Sequence, residues 1–399
     1  MNTIEIEDRL GITFCNRQAI AIERGEGSYV WDENGDRYLD FTSGWGVTCL
    51  GHSHPKITEA IYKQAQKIIQ NPNSGFTYSP SRAKLLTILK DLLPAQLEKV
   101  YFASSGAEAN DAAIKLARKI TGKVKIVSTL GSFHGRTFNT LSVSVGRENT
   151  EQFLPALLEN EFVAFGDVAA MRSAVDDKTA AVIIEPIQGE GGVRIPLASY
   201  LSCVAQICRQ RGALLIVDEI QTGFGRTGTF FALEQSEPAV APDILTMGKG
   251  IAGGFPLAAF AVTERINARI QKGDHGGTYC GNPLGCAVAT AVVSELIQQN
   301  LPHRARQFGK TLLGRLAQLK QIHPGKIIDV RGKGLLCALE LASDELVQCV
   351  TRNCLKQGLL ITPTRNSVVR LIPSLLLSES ELEEALRILD KSIAAAVGN

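Results

Sequence analysis

Residues 213–227, A-L-L-I-V-D-E-I-Q-T-G-F-G-R-T, run from five consecutive apolar positions into two acids and then into a loop with two glycines. An apolar run this short, with no polar alternation, fits a strand buried on both faces, and the acids then mark its carboxyl end. Similar runs flank it: V-Y-F-A (100–103), K-I-V-S-T-L (125–130), A-A-V-I-I-E-P (180–186) and A-A-F-A-V-T (258–263), with a helical period starting at Ala107. Strands alternating with helices predict an α/β fold, a mostly parallel central sheet flanked by helices. Open α/β sheets gather their chemistry at the carboxyl ends of the strands. Glu185 and Asp218 fall at such ends.

Downstream of Asp218, Lys249 sits inside T-M-G-K-G-I-A-G-G-F-P (246–256), where glycines on both sides let the backbone approach a planar ring. A lysine amine condenses with an aldehyde, and a carboxylate ending a core strand holds a pyridine nitrogen protonated, which makes the ring an electron sink. Together the two residues point to pyridoxal phosphate. Singly they are less telling, since a strand-end acid also serves as a cap or magnesium ligand. A glycine-flanked lysine also serves nucleotide phosphates, but no G-x-x-x-x-G-K-[ST] pattern is present.

Ser104-Ser105-Gly106-Ala107-Glu108-Ala109-Asn110 opens a helix whose Ala109, Ala112, Ala113, Leu116, Ala117 and Ile120 keep helical spacing. Such a turn offers free N–H groups and a positive dipole end to a phosphate, or is a plain serine N-cap. Phe133-His134-Gly135-Arg136-Thr137 follows a strand and combines a ring able to stack on a cofactor with a guanidinium able to grip a carboxylate. Arg136 could equally be a surface arginine. Arg370, alone among apolar neighbours in V-V-R-L-I-P, calls for a buried anionic partner and is a second carboxylate-binding candidate.

The remaining sequence sets bounds. A chain of 399 residues with 45% apolar content can build a substantial core, and 42 basic against 40 acidic residues leave no electrostatic footprint for nucleic acid or a membrane surface. Its apolar runs are far shorter than the roughly 20 residues that cross a bilayer, and the acidic start M-N-T-I-E-I-E-D-R-L lacks a secretory pattern, so a cytoplasmic location is expected. Nine cysteines without a C-x-x-C pair fit reduced, mostly buried thiols. His52 and His54, in G-H-S-H-P, fit a braced turn better than a metal site, and no metal is expected. S-Y-V-W-D-E-N-G-D-R-Y-L-D-F (28–41) predicts a hairpin about Asn-Gly. Three parts follow: an N-terminal segment (1–45) packing with the small domain, a large cofactor-binding domain (46–285) and a small α+β C-terminal domain (286–399).

These motifs, with L-G-H-S-H-P (50–55), I-I-E-P-I-Q-G-E-G-G-V (183–193), G-D-H-G-G-T-Y-C-G-N-P-L (273–284) and V-R-G-K-G-L (330–335), resemble the class III pyridoxal-phosphate aminotransferases of fold type I, in the acetylornithine and ornithine aminotransferase branch. The resemblance spans nearly the whole chain. It implies that Lys249 carries the cofactor covalently and shuttles the substrate proton, and that Asp218 pairs with the ring nitrogen. It places Gln221 by the ring hydroxyl, Phe133 on the ring, Ser105, Gly106 and Ala107 at the phosphate, and His134 and Glu185 beside the cofactor. It implies a homodimer in which Thr278 reaches the partner's site. Arg136 would hold the donor carboxylate and Arg370 the α-carboxylate of glutamate, with Glu190 neutralising Arg370 while a donor is bound. The implied reaction moves the terminal amine of an N-acetylornithine- or ornithine-like donor to 2-oxoglutarate, giving a semialdehyde and glutamate.

Two segments depart from the family pattern. Trp45 stands where acetylornithine enzymes carry an aliphatic residue and ornithine enzymes a tyrosine, and an indole has one donor and no acceptor. Asn71–Pro80, containing Phe76, also differs. Both would line the substrate entrance, so other ω-amines (succinylornithine, lysine, 4-aminobutyrate, a diamine) stay open as donors. A decarboxylase or aminomutase on the same scaffold, or a protein that kept the fold without catalysis, are the other classes.

Overall fold

In the computed structural model, which describes residues 1–144, 153 and 160–396, the expected hairpin belongs to a small antiparallel meander of β1 (Ile22–Glu26), β2 (Tyr29–Asp32) and β3 (Arg37–Asp40). Its turn is longer than a two-residue one. Pairing stops at Trp31 and Arg37, and the Asp32 carboxylate accepts from the backbone N–H of Asn34 (3.0 Å) and Asp36 (2.9 Å). Within the turn only Gly35 is left-handed, at φ +87°.

The central sheet comprises β4 (Leu97–Ala103), β5 (Lys125–Thr129), β6 (Glu161–Val163), β7 (Thr179–Ile184), β8 (Leu214–Asp218), β9 (Ile244–Met247) and β10 (Ala258–Thr263), in the order β4-β10-β9-β8-β7-β5-β6. From β9 to β6 every pairing is parallel, and β10 runs antiparallel to both its neighbours. β7, β8 and β9 are buried at every residue, which is why their sequences show no polar alternation. β6 and β9 lie outside the apolar runs quoted above: β6 has three residues, and Thr246 interrupts the apolar character of β9.

Helix Gly106–Thr121 lies over β7, β8, β9 and β10, burying Ala109, Ala112, Ala113, Leu116, Ala117 and Ile120. Alanines on this face let its axis come close to the sheet, and Gly122 ends it in a left-handed cap at φ +69°. Helix Pro283–Gln298 packs on helices Pro55–Ala65 and Pro80–Leu92, while helix Leu301–Ile322 packs on the C-terminal strands.

Those strands are β11 (Ile327–Lys333), β12 (Leu336–Leu341), β13 (Leu359–Leu360), β14 (Thr362–Thr364) and β15 (Val368–Leu371). Four of them form a sheet in the order β11-β12-β15-β14, whereas β13 leaves it to pair in parallel with β3, setting Leu359 against Leu39. The N-terminal strands are thus completed by the far end of the chain. Six of the nine cysteines are buried. Among the described residues no helix is long and apolar enough to cross a membrane.

Candidate active site

β8 delivers Asp218 to the carboxyl edge of the sheet, where it is buried and held on three sides. Its Oδ2 accepts from Asn110 Nδ2 and from His134 Nδ1, each at 2.7 Å, and its Oδ1 accepts from the Ile220 N–H at 3.0 Å. The carboxylate therefore has one orientation, facing a cavity of about 280 Å³. Gly106, Ala107, Phe133, Arg136, Glu185, Glu190, Gln221 and Lys249 line the same cavity.

Lys249 follows β9 in a short 3-10 turn and is left-handed at φ +44°. For a side chain with a Cβ that conformation costs about 1–3 kcal/mol, and such strain gathers at functional sites. Burial lowers its amine pKa to about 8; Glu190 opposes the shift, Arg370 adds to it, and Asp218 and Glu185 oppose it. The neutral amine is thus a minority form at pH 7, but far more abundant than for an ordinary lysine.

At the helix start, Ser105 is the N-cap and accepts from the Glu108 N–H at 3.2 Å, while Glu108 accepts from the Ser104 N–H at 2.7 Å. The capping reading is realised, and Gly106 and Ala107 of the same turn open on to the cavity. Glu185, at the end of β7, accepts from the N–H groups of Gly189 (3.2 Å) and Phe133 (3.3 Å). Burial, reinforced by Asp218 and countered by His134 and those two N–H groups, raises its pKa to about 7. The Arg136 guanidinium is exposed and stands 5.4 Å from the Phe133 ring centroid.

Arg370 on β15 is completely buried, and its Nη1 donates to Glu190 Oε1 at 2.6 Å and to Gln221 Oε1 at 3.2 Å. This is the anionic partner expected for an arginine in an apolar strand. Burial opposes ionisation of Glu190, but Arg370 and Lys249 outweigh it and hold the carboxyl below its usual range. Arg370 Nε and Nη2 are buried without a partner among the described residues. Gly189 keeps this corner close: a Cβ there would fall 1.4 Å from Gln221 Oε1.

Trp45 sits in four successive left-handed residues, Ser43 to Gly46. Asp40 anchors this turn, accepting from the Thr42 and Ser43 N–H groups and pairing with His52 Nε2 at 2.8 Å, so His52 braces a turn. The Trp45 carbonyl accepts from Gln221 Nε2 at 3.4 Å, yet its indole is 62% exposed and lines no part of the cavity. Phe76 and Thr278 also lie on the surface, outside the cavity, with Gln70 Nε2 donating to the Thr278 carbonyl at 2.5 Å. The sequence motif by itself assigns Asn110 no role. Its signal was a polar side chain on an alanine-lined helix face.

Comparison with known proteins agrees with this architecture. Residues 14–393 match the family described as Aminotransferase class-III. The chain is 41% identical over 396 residues to the acetylornithine aminotransferase of Methanopyrus kandleri, covering 99% of this chain and 100% of the relative. Identity to the enzyme of that name from Methanothermobacter thermautotrophicus is 42% over 393 residues, covering 98% of each. Among solved structures, the ornithine aminotransferase of Toxoplasma gondii superposes with a TM-score of 0.92 at 32% identity, covering 98% of this chain and 94% of that one. The acetylornithine aminotransferase of Elizabethkingia anophelis does so at 0.85 and 32%, covering 98% of each. A lysine and a strand-end carboxylate sharing one cavity, in a fold matched over nearly its whole length, place this chain in the class-III aminotransferases.

Proposed function

We propose that this protein holds pyridoxal phosphate on Lys249 and uses it to move the terminal amine of an N-acetylornithine- or ornithine-like donor to 2-oxoglutarate. The observation that carries the reading is the buried Arg370 closed by Glu190 at 2.6 Å, in reach of the cavity that holds Lys249. One pocket must take a dicarboxylate in one half-reaction and an ω-amino acid in the other. An arginine whose counter-charge can swing away meets both demands, because leaving a buried guanidinium unpaired costs several kcal/mol, about 3–5.

The residues fit the cofactor. Asp218 would meet the ring nitrogen, Phe133 would flank the ring, the Ser105–Ala107 turn would hold the phosphate, and His134, Glu185 and Gln221 would complete the surround. Buried His134 Nε2 and Asn110 Oδ1, beside Asp218, have no partner among the described residues, which supports a polar ligand there. When bound, the cofactor supplies the aldehyde that takes the amine and the electron sink for the carbon that loses its proton.

The protein's own share is positioning and proton transfer. Lys249 Nζ would accept the proton that the substrate carbon gives up and hand it on within the cavity, a task suited to an amine whose pKa is near 8. Asp218, fixed by Asn110, His134 and Ile220, would stay aimed at the ring nitrogen of the bound cofactor. Arg136 receives the donor carboxylate, and Arg370 receives the α-carboxylate of glutamate once Glu190 withdraws.

The active unit is a homodimer in which Thr278 reaches the partner's phosphate site. Supporting this, Thr278 lies outside its own cavity, and Phe76, Tyr78 and Tyr279 are at least 66% exposed on two segments joined by the Gln70–Thr278 bond. Exposed aromatic clusters mark interaction surfaces.

The test is to load the protein with pyridoxal phosphate and follow half-reaction spectra with N-acetylornithine, succinylornithine, ornithine, lysine, 4-aminobutyrate and a diamine, then 2-oxoglutarate. N-acetylornithine or ornithine should convert fastest, with glutamate formed in step with semialdehyde. Release of carbon dioxide, or turnover without 2-oxoglutarate, would replace this reading by a decarboxylase or aminomutase.

A further inference from the structure

A second, larger cavity of about 770 Å³ lies behind the Glu190 loop, at the carboxyl edge of β5, β6 and β7. Its lining is divided. Phe165, Ile195 and Leu197 form an apolar wall, with Leu197 79% exposed, and Arg194, Arg331 and Arg365 form a cationic one. The arginines are unequally matched. Arg331 is committed to Asp329 (2.8 Å) and Glu340 (2.7 Å), and Arg194 stands 3.4 Å from Glu340. Arg365 is half-buried on the β14–β15 turn and has no ion pair or side-chain hydrogen bond among the described residues.

Among the described residues two carboxylates thus face three guanidiniums, and the unmatched charge is the one on Arg365. A half-buried cation with no partner, beside exposed aliphatic surface, is the complement of a molecule carrying an anionic head on an apolar body. We propose that this cavity is a binding site for an organic carboxylate with an apolar body, separate from the site that holds Lys249.

Its position bears on the transamination site. Arg331 donates to the carbonyls of Gly192 (2.7 Å) and Val193 (3.1 Å), and the Arg365 carbonyl lies 3.5 Å from where a Cβ on Gly192 would stand. The cationic wall therefore holds the loop that carries Glu190, two residues from the carboxylate paired with Arg370. The two cavities share no lining residue among those described.

Isothermal titration of the cofactor-loaded protein with 1-naphthoate tests the site. Saturable binding at one probe per chain is expected, persisting in saturating 2-oxoglutarate and weakened at least fivefold by Arg365→Gln. Leu197→Asp, on the opposite wall and exposed, should weaken it similarly and serves as the deciding variant if Arg365→Gln does not fold. Cofactor absorbance should be unchanged in either variant. No saturable binding, binding abolished by 2-oxoglutarate, or binding indifferent to the folded variant would overturn the assignment. None of these outcomes touches the amine-transfer reading, which is measured on the other cavity.

Discussion

Asn110 Nδ2 lies 2.7 Å from Asp218 Oδ2, and this bond fastens the start of helix Gly106–Thr121 to the end of β8. The same amide hydrogen-bonds the His134 carbonyl at 2.8 Å, so one side chain ties together three segments that reach the cavity. A hydrogen bond to a charged group contributes about 1.5–3 kcal/mol. Asn110→Ala should therefore lower kcat/KM about 10- to 100-fold and weaken cofactor retention on dialysis. Unchanged kcat/KM would show that His134 and Ile220 suffice to orient Asp218.

Arg370 and Glu190 should separate the two half-reactions. Arg370→Ala should slow the glutamate half-reaction by at least about 100-fold, from the loss of a buried charged contact of about 3 kcal/mol or more, and slow the donor half-reaction much less. Glu190→Gln should do the reverse, since the guanidinium then faces the donor without a counter-charge. Single-turnover spectra of each half-reaction measure both, and equal losses would count against the exchange of partners.

Lys249 sets a pH dependence. Its pKa of about 8 lies below the ordinary 10.5, so the amine is protonated below about pH 8 and free above it. Uptake of pyridoxal phosphate by the apoprotein should rise with pH and level off just above 8. A rate still climbing through pH 10 would mean that burial does not depress the amine.

Glu219, next to Asp218, gives a second one. Its carboxyl is fully buried, accepts from the Thr222 hydroxyl and from the Leu233 N–H at 2.7 Å, and is raised by burial to about 7 against the usual 4.5. Between those values the folded state keeps a proton that the unfolded state releases, so stability falls as pH rises across the window. Glu219→Gln removes that dependence. The melting temperature of the variant relative to the natural protein should climb between pH 5 and 7 and flatten above 8, by the equivalent of about 2–3 kcal/mol. A constant difference would show that the carboxyl ionises normally.

Most of the fold is legible in the sequence, because β7 and β8 are each built on an unbroken apolar run and the Ala109 helix face keeps strict spacing. The site was legible where chemistry needs a rare residue in a rare place. Lys249 among glycines, Asp218 at a strand end and Arg370 in an apolar strand all announce themselves. Asn110 did not, since its role depends on two partners 24 and 108 positions away. The antiparallel direction of β10 was equally silent, because side-chain pattern records burial and not strand polarity. The surface placement of Trp45, Phe76 and Thr278 follows from loop geometry, to which composition is blind.

The parallel pairing of β3 with β13 sets a schedule for the growing polypeptide. Leu39 leaves the ribosome well before its neighbour Leu359, which is made 320 positions (359 − 39) later. Until then the edge of β3 has no strand to complete it and stands open to wrong pairings. The nascent chain must therefore carry an unfinished sheet until β13 is made, and removing β13 should harm the N-terminal strands as much as the C-terminal ones.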